Sequence, residues 1–390
     1  MITRNLGQRL LETSRKYPVV GIVGPRQSGK TVLATELFPN YEYVTLENPD
    51  NRERATRDPR GFLDAHKPPV ILDEVQNVPE LFSYLQERVD LSRKNEQYVL
   101  TGSQNFVLNQ KISQTLAGRI YLAQLPTLTL TELAGVNITF NDWEDYAFKG
   151  SYPRVWDKNL TPTEWYPSYI QTYLERDVRD LKNIADLKDF QTFMGLCAGR
   201  GGQELVLNSI TSDTGITSNT VKAWISVLEA SYIVFLLRPY YKNFNKRMVK
   251  TPKLYFFDTG LMVNLLGIVS PDQLAVHPLR GNIFENLVIS ELVKAKLNLG
   301  QTNLGYYMRD KSGNEIDYVQ ERALSLSFTE IKASKTFSND FLKGINYWNQ
   351  VDTSVKHDTS VVYTGDWDTT IAGTRLVNWK NMETLINPLY

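Results

Sequence analysis

Two stretches of this chain hold residue types at spacings that do chemistry. The first is GPRQSGKT, residues 24–31, followed downstream by VILDE, residues 70–74. The pattern G-x-x-x-x-G-K-[ST], set after the strand-like YPVVGIV and before the helix-forming TVLATELF, predicts a phosphate cradle. Gly24 and Gly29 let the backbone curl, so the loop of Pro25, Arg26, Gln27 and Ser28 wraps the phosphates of ATP. Lys30 then reaches the β and γ phosphates and Thr31 ligates Mg²⁺. Asp73 and Glu74 end an apolar strand, the arrangement in which the first acid holds the ATP-bound Mg²⁺ and the second orients an attacking water. The second stretch, GNEIDYVQERALSLSFTEIKASK at 313–335, sets Asp317 on one strand-like run and Glu330 with Lys332 on the next. Strand side chains alternate, so Glu330 and Lys332 share a face, and Asp317 meets them if the two runs pair as a hairpin.

The elements that must position these residues alternate strand and helix patterns. VVGIV (19–23), YVTL (43–46), VILDE (70–74), YVLTG (98–102) and IYLAQL (120–125) read as buried strands of a parallel α/β sheet with helices on both faces. YVLTGSQ ends in small polar residues, and ligands in such sheets sit at the C-terminal strand ends. Ser103 or Gln104 is therefore a partner for the γ phosphate or the water, or else part of a plain turn. Residues from about 136 to 200 read as helical and rich in Trp and Tyr, including YIQTYLERDVRDLKNI at 169–184. GNIFENLVISELVKAK at 281–296 reads as an amphipathic helix whose Glu285 adds a third carboxylate to Asp317 and Glu330.

Composition bounds the possibilities. The 390 residues predict two to four domains at roughly 150 residues each. Hydrophobic residues at 42% and charged residues at 22% fit a globular chain. The single Cys197 excludes an intramolecular disulfide, and three scattered histidines offer no zinc spacing. No apolar run approaches about 18 residues and the start lacks a signal-peptide pattern, which predicts a cytoplasmic chain with no membrane span. Lys plus Arg equal Asp plus Glu at 43 each, so any contact with nucleic acid has to be local.

A local basic patch exists. SDTGITSNTVKAWISVLEASYIVFLL (212–237) reads as a turn at Gly215, then a helix capped by Ser218 with Val221, Trp224, Ile225 and Leu228 on one apolar face. RPYYKNFNKRMVKTPK follows, where a wing hairpin would lie. Its Arg238, Lys242, Lys246, Arg247, Lys250 and Lys253 can hold DNA phosphates, with Tyr240, Tyr241 and Phe244 stacking or packing. The same helix-turn-helix pattern also serves protein docking, and both readings stand.

GPRQSGKT, LDEVQNVPE, LTGSQNF, LAGR, GSYP, PKLYFFDTGL and GNIFENLVISEL together resemble prokaryotic AAA+ ATPases that end in a domain of unknown function with a nuclease-like fold. The similarity runs over essentially the whole chain. It implies an α/β, P-loop AAA+ parallel-sheet core at 1–135, a helical lid at 136–200, a winged helix at 201–265 and a C-terminal restriction-endonuclease-like α/β domain at 275–390. Arg119 stands where AAA+ proteins carry an arginine finger, which implies a homo-oligomer; the plain alternative is a helix-capping arginine. Arg154 and Arg176 are the candidates for a lid sensor. Asp317, Glu330, Lys332 and Glu285 resemble the PD-(D/E)XK nuclease site, with Ile316 in place of the motif's proline; there the carboxylates hold Mg²⁺ and the lysine activates water. An interstrand ion pair or a nuclease fold kept for binding fits the same residues. Two functions remain open: an ATPase acting on DNA, and a nucleotide-controlled switch or scaffold that binds a protein partner.

Overall fold

Val19–Val23, strand β1, is buried at every position because strands lie on both sides of it and helices cover its faces. It is joined in a computed structural model by β2 (Glu42–Thr45), β3 (Val70–Asp73), β4 (Tyr98–Gly102) and β5 (Ile120–Gln124). The described residues are 2–103, 115–173, 187–240, 248–322, 325–351 and 357–386. They fall into two units, the first Met1–Leu128 with Ala230–Tyr232 and Leu297–Thr302, the second Thr129–Glu229, Ile233–Lys296 and Asn303–Tyr390.

In the first unit the described strands run β2-β3-β4-β1-β5, all parallel, the α/β sheet expected from the alternating apolar runs. Val23 pairs with Gly102 and Gln124, and Thr45 with Asp73, so the C-terminal ends of the strands share one edge. Helices Leu6–Ser14 and Lys30–Leu37 bury Leu6, Leu10, Leu33 and Ala34 against Val20, Ile22, Ile71 and Val99 in one core. Each of the leucines, valines and isoleucines contributes about 1.5–3 kcal/mol by leaving water.

The second unit opens with helix Leu130–Ala134, followed by the short helices Trp143–Lys149, Pro153–Asp157 and Pro162–Tyr173, whose aromatic residues pack on one another. Trp165 stacks on Tyr169 at 5.0 Å between ring centroids. Buried Asp258 is satisfied by Ser151 N, Ser151 Oγ, Tyr166 OH and Leu261 N, at 2.6 to 2.7 Å. Helix Leu207–Thr214 ends at Gly215, whose φ of 72° needs glycine, and helix Ser218–Ala230 follows. Val221, Trp224, Ile225 and Leu228 are all buried, as their spacing predicted. The cap is Thr217, not Ser218: its Oγ1 accepts from Thr220 N at 3.2 Å, while Ser218 is already helical.

Then β6 (Val234–Pro239) and β7 (Lys253–Phe256) pair antiparallel, Leu237 opposite Lys253. After helix Arg280–Asn298 come β8 (Tyr306–Arg309), β9 (Glu315–Glu321), β10 (Leu326–Lys332), β11 (Asp358–Tyr363), β12 (Thr369–Ile371) and β13 (Thr374–Asn378). The described strands form one mixed sheet, β12-β13-β11-β10-β9-β8-β6-β7. Val319, Phe328, Val361 and Leu376 pack with Ile345 and Trp348 of helix Lys343–Val351 as its core. Among the described residues no helix is long and apolar enough to cross a membrane.

Candidate functional site

The parallel register delivers the phosphate-loop side chains and the acidic strand end to the same edge of the first sheet. Gly24 is a glycine because a Cβ there would collide with the Leu125 carbonyl oxygen, where the loop crosses the end of β5. Gly29, at φ 91°, takes the left-handed turn into helix Lys30–Leu37 and offers no side chain to cap it. The first-turn N–H groups are thus left for an anion. Ser28 Oγ is buried with no hydrogen-bond partner among the described residues. Gln27 also holds a left-handed φ, 61°. Lys30, almost wholly buried, donates to the carbonyls of Gly24 at 3.1 Å and Pro25 at 2.9 Å, which lays its ammonium along the loop.

Asp73 is the hub. Its Oδ1 accepts from Thr31 Oγ1 at 2.8 Å and Thr101 Oγ1 at 2.5 Å; its Oδ2 accepts from Tyr43 OH at 2.9 Å and Thr45 Oγ1 at 3.4 Å. Burial and the neighbouring Asp73 push the Tyr43 phenol up to about 12, so it stays a donor. Thr31 and Asp73 form an oxygen-only pair of the kind Mg²⁺ takes beside phosphates. Glu74 sits at φ 57°, a left-handed conformation that costs about 1–2 kcal/mol and is held by Glu74 N donating to Thr101 Oγ1 at 3.1 Å. Its carboxylate accepts from Ser103 Oγ at 3.0 Å and from Gln76 Nε2.

Sequence reasoning named Lys30, Thr31, Asp73, Glu74 and Ser103; it missed Thr101, Gln76, Tyr43 and Arg4. Arg4, from the N-terminal segment, donates to Ser28 O at 2.7 Å and Pro126 O at 2.6 Å, tying the phosphate loop to the segment after β5. Arg26 is half-buried in the loop. Gln104 and Arg176 lie outside the described residues, and Arg154 is exposed on its helix.

Arg119 sits at the other edge of the sheet. Its carbonyl accepts from Val19 N at 3.3 Å, at the start of β1, where Val19 pairs with Ile120. Its guanidinium grips Asp90 through Nε to Oδ1 at 2.5 Å and Nη2 to Oδ2 at 3.0 Å, and the Arg119 hydrogen bond holds the Asp90 carboxyl below its usual range. From there it faces away from the phosphate loop of its own chain.

A second cluster lies in the C-terminal sheet. Because β9 and β10 pair antiparallel, with Tyr318 opposite Thr329, Asp317 does meet Glu330 and Lys332. Lys332 Nζ is 2.6 Å from Glu330 Oε2 and 3.7 Å from Asp317 Oδ2, and Asp317 Oδ2 also accepts from Ile331 N at 2.8 Å. Burial, then the nearby Asp317, push Glu330 up to about 8; burial alone would lower Lys332, but Asp317 and Glu330 carry it upward. Carboxylate oxygens of Glu285, Glu315 and Asp317 lie within 4.8 Å of one another. Glu315 was not foreseen, although it stands two residues before Asp317 and so on the same strand face.

Lys253 requires a correction. Read as a phosphate contact, it is instead 3% exposed, because it opens the buried strand β7 and its ammonium pairs with Glu285 Oε1 at 3.0 Å and with Glu315 Oε1. The donor set suits a divalent ion in kind and spacing, but an ammonium already sits with it, so as arranged the cluster does not fit that ion. Of the other basic residues, Lys250 and Arg238 are exposed, and Lys242, Lys246 and Arg247 lie outside the described residues, as do Tyr241 and Phe244. Tyr240 is buried in the core of the C-terminal sheet.

Residues 16–134 match the family described as AAA domain, residues 140–272 the Domain of unknown function (DUF8612) and residues 280–382 the Domain of unknown function (DUF4143). The uncharacterized protein Rv2008c of Mycobacterium tuberculosis (strain ATCC 25618 / H37Rv) is 29% identical over 338 residues, covering 85% of this chain and 74% of its own. The uncharacterized protein Mb2031c of Mycobacterium bovis (strain ATCC BAA-935 / AF2122/97) matches to the same extent. Among solved structures, the Walker-type ATPase paby2304 of Pyrococcus abyssi aligns over 68% of this chain and 96% of its own at 14% identity and a TM-score of 0.46.

Proposed function

We propose that this chain, an AAA domain of the P-loop ATPase type followed by a C-terminal domain of unknown function, binds ATP with Mg²⁺, hydrolyses it, and couples hydrolysis to DNA binding or remodelling. One observation carries the ATPase reading: Thr31, Asp73, Thr101, Glu74 and Ser103 form a single hydrogen-bonded chain at the strand ends beside Lys30. In that arrangement the Lys30 ammonium offsets phosphate charge, and the Glu74 carboxylate, steadied by Ser103, orients the attacking water. When bound, Mg²⁺ neutralises phosphate oxygens, and Thr31 Oγ1 and Asp73 are the groups that would hold it. Nucleotide binding and turnover test this. Lys30→Ala should lose ATP, and Glu74→Gln should keep ATP bound while hydrolysis slows by orders of magnitude. Equal turnover in wild type and Glu74→Gln would refute it.

Arg119 supports a homo-oligomer. Placed at the sheet edge away from its own phosphate loop, it serves as an arginine finger only toward a neighbour's ATP. Residues 136–200 are read as the lid, 201–265 as a winged helix and 275–390 as a nuclease-like module. Helix Leu207–Thr214, the turn at Gly215, helix Ser218–Ala230 and the β6–β7 pair support the winged helix. Exposed Lys250 and Arg238 flank the stretch assigned to DNA phosphates.

A second reading is a nucleotide-controlled switch or scaffold that docks a protein partner. It is favoured by the exposed face of helix Ser218–Ala230, where Lys222 is the lone cation beside Asn219 and Ser226. Stimulation of the ATPase by DNA separates the two. A salt-dependent rise in rate supports DNA, and no effect at about 50 mM salt, a condition permissive for phosphate contacts, supports the protein partner.

A further inference from the structure

The ammonium of Lys253 is sunk where charge is costly, so the groups around it explain its presence. It sits at the first residue of β7, with Glu285 Oε1 at 3.0 Å, Glu315 Oε1 in contact and the Tyr307 ring centroid at 5.5 Å. Tyr255 OH donates to the same Glu285 oxygen at 2.6 Å, and Arg309 Nη1 lies 3.1 Å from Glu315 Oε2. Two of the three carboxylates close enough to share a metal ion are thereby already satisfied by the protein's own cations and hydroxyl. The lysine is not accidental cover from a mobile stem. It is strand-borne, with Leu237 opposite it in β6 and an isolated bridge to Glu204 on its other side.

We propose that Lys253 is the resident cation of this cluster, and that a divalent ion enters only when the Lys253 ammonium is displaced or removed. The proposal rests on reading Glu285, Glu315 and Asp317 as the donor set of a nuclease-like module. Two cations cannot share the Glu285–Glu315 gap, because their repulsion in a buried site is weakly screened. Either Lys253 neutralises the carboxylates and the sheet is stable without metal, or the lysine withdraws and the ion takes its place. In the first state the module can serve in binding without cleaving. Strand β7, as the carrier of the lysine, decides between the states.

Mn²⁺ titration of nucleotide-free, full-length protein, with free Mn²⁺ followed by electron paramagnetic resonance, tests this. Wild type and Asp317→Asn should bind Mn²⁺ alike. Lys253→Met should gain one site at least about tenfold tighter than any wild-type site, since Glu285 and Glu315 lose the buried ammonium that pairs with both. Lys253→Met with Asp317→Asn should lose that gain. Lys253→Gln provides the same removal of charge with a polar head, should the Met variant fail to fold by circular dichroism. If wild type binds one ion tightly and Asp317→Asn abolishes it, the resident-cation proposal falls while the metal-site reading stands. If neither folded Lys253 variant gains a site, both fall.

Discussion

Thr101→Val removes one hydroxyl from the interior of the nucleotide site and changes little in volume. Thr101 is 1% exposed on β4, and its Oγ1 both donates to Asp73 Oδ1 at 2.5 Å and accepts from Glu74 N at 3.1 Å. Losing a hydrogen bond to a charged group costs about 1.5–3 kcal/mol, and leaving a buried N–H unpaired about 1–3 kcal/mol. Asp73 keeps Thr31, Tyr43 and Thr45 as donors, so the first loss falls at the low end. The second does not, because Glu74 is held at φ 57° against its own preference and its N–H would be left without the Thr101 hydroxyl that accepts from it. A total near 3 kcal/mol, with about half expressed in how well Glu74 aims, corresponds to roughly a tenfold fall in kcat, and the whole to about a hundredfold. Nucleotide affinity should change little, since Lys30 and the phosphate loop are untouched. Single-turnover hydrolysis with a separate nucleotide-binding titration reads both quantities, and Thr101→Ser should recover most of the rate. Turnover of Thr101→Val within about twofold of wild type, with Glu74→Gln inactive, would show that Thr101 does not position Glu74.

Arg119→Ala and Lys30→Ala should each hydrolyse poorly alone, yet a mixture should regain activity, because an intact Arg119 on one subunit can serve an intact phosphate loop on another; a mixture no faster than the sum of the two would rule out the finger. Glu383, whose carboxylate accepts from Thr131 Oγ1 at 2.9 and 2.8 Å, is pushed up to about 7 by burial and then by Glu291, against an ordinary value of 4.5. The folded chain therefore holds a proton there that the unfolded chain releases, and stability falls as pH climbs from about 4.5 to about 7. Thermal midpoints measured across that window should decline, and Glu383→Gln should flatten part of the decline. Glu330 adds a change of the same sign up to about 8, so Glu383→Gln leaves a residue of it.

The first sheet was readable because its signals are local. Four of the five apolar runs, 19–23, 70–74, 98–102 and 120–125, start where β1, β3, β4 and β5 start, and the phosphate loop is contiguous in sequence. Thr45, which ends the strand beside Asp73, and Tyr43, two residues before it on the same face, stood within reach of the same logic. Thr101 was passed over because a threonine inside an apolar strand reads as β propensity rather than as a hydrogen-bond hub. In the C-terminal sheet alternation was enough to join Asp317, Glu330 and Lys332, and applied one step earlier would have added Glu315. Lys253 was beyond that reasoning. Its neighbours Glu285 and Glu315 come from a helix and a strand far along the chain, and a lysine in a run of basic residues reads as solvated until β7 is seen to be buried.

Strand β6 has partners on both sides: β7 along Val234–Leu237, and β8 where Arg238 meets Tyr306 and Pro239 meets Tyr307. Tyr240 N to Tyr307 O at 2.8 Å and Val249 N to Arg309 O at 3.0 Å extend the seam. The stretches 140–272 and 280–382 match separate families, yet the ladder of one runs on into the other. A gene cut at the junction would strip β8 of its neighbour and leave a raw edge of N–H and C=O groups, the template on which chains aggregate. The two stretches are consequently poor candidates for shuffling apart in evolution or for expression as separate fragments. A motion that moves β6–β7 relative to the C-terminal strands has to bend one sheet or break this short seam.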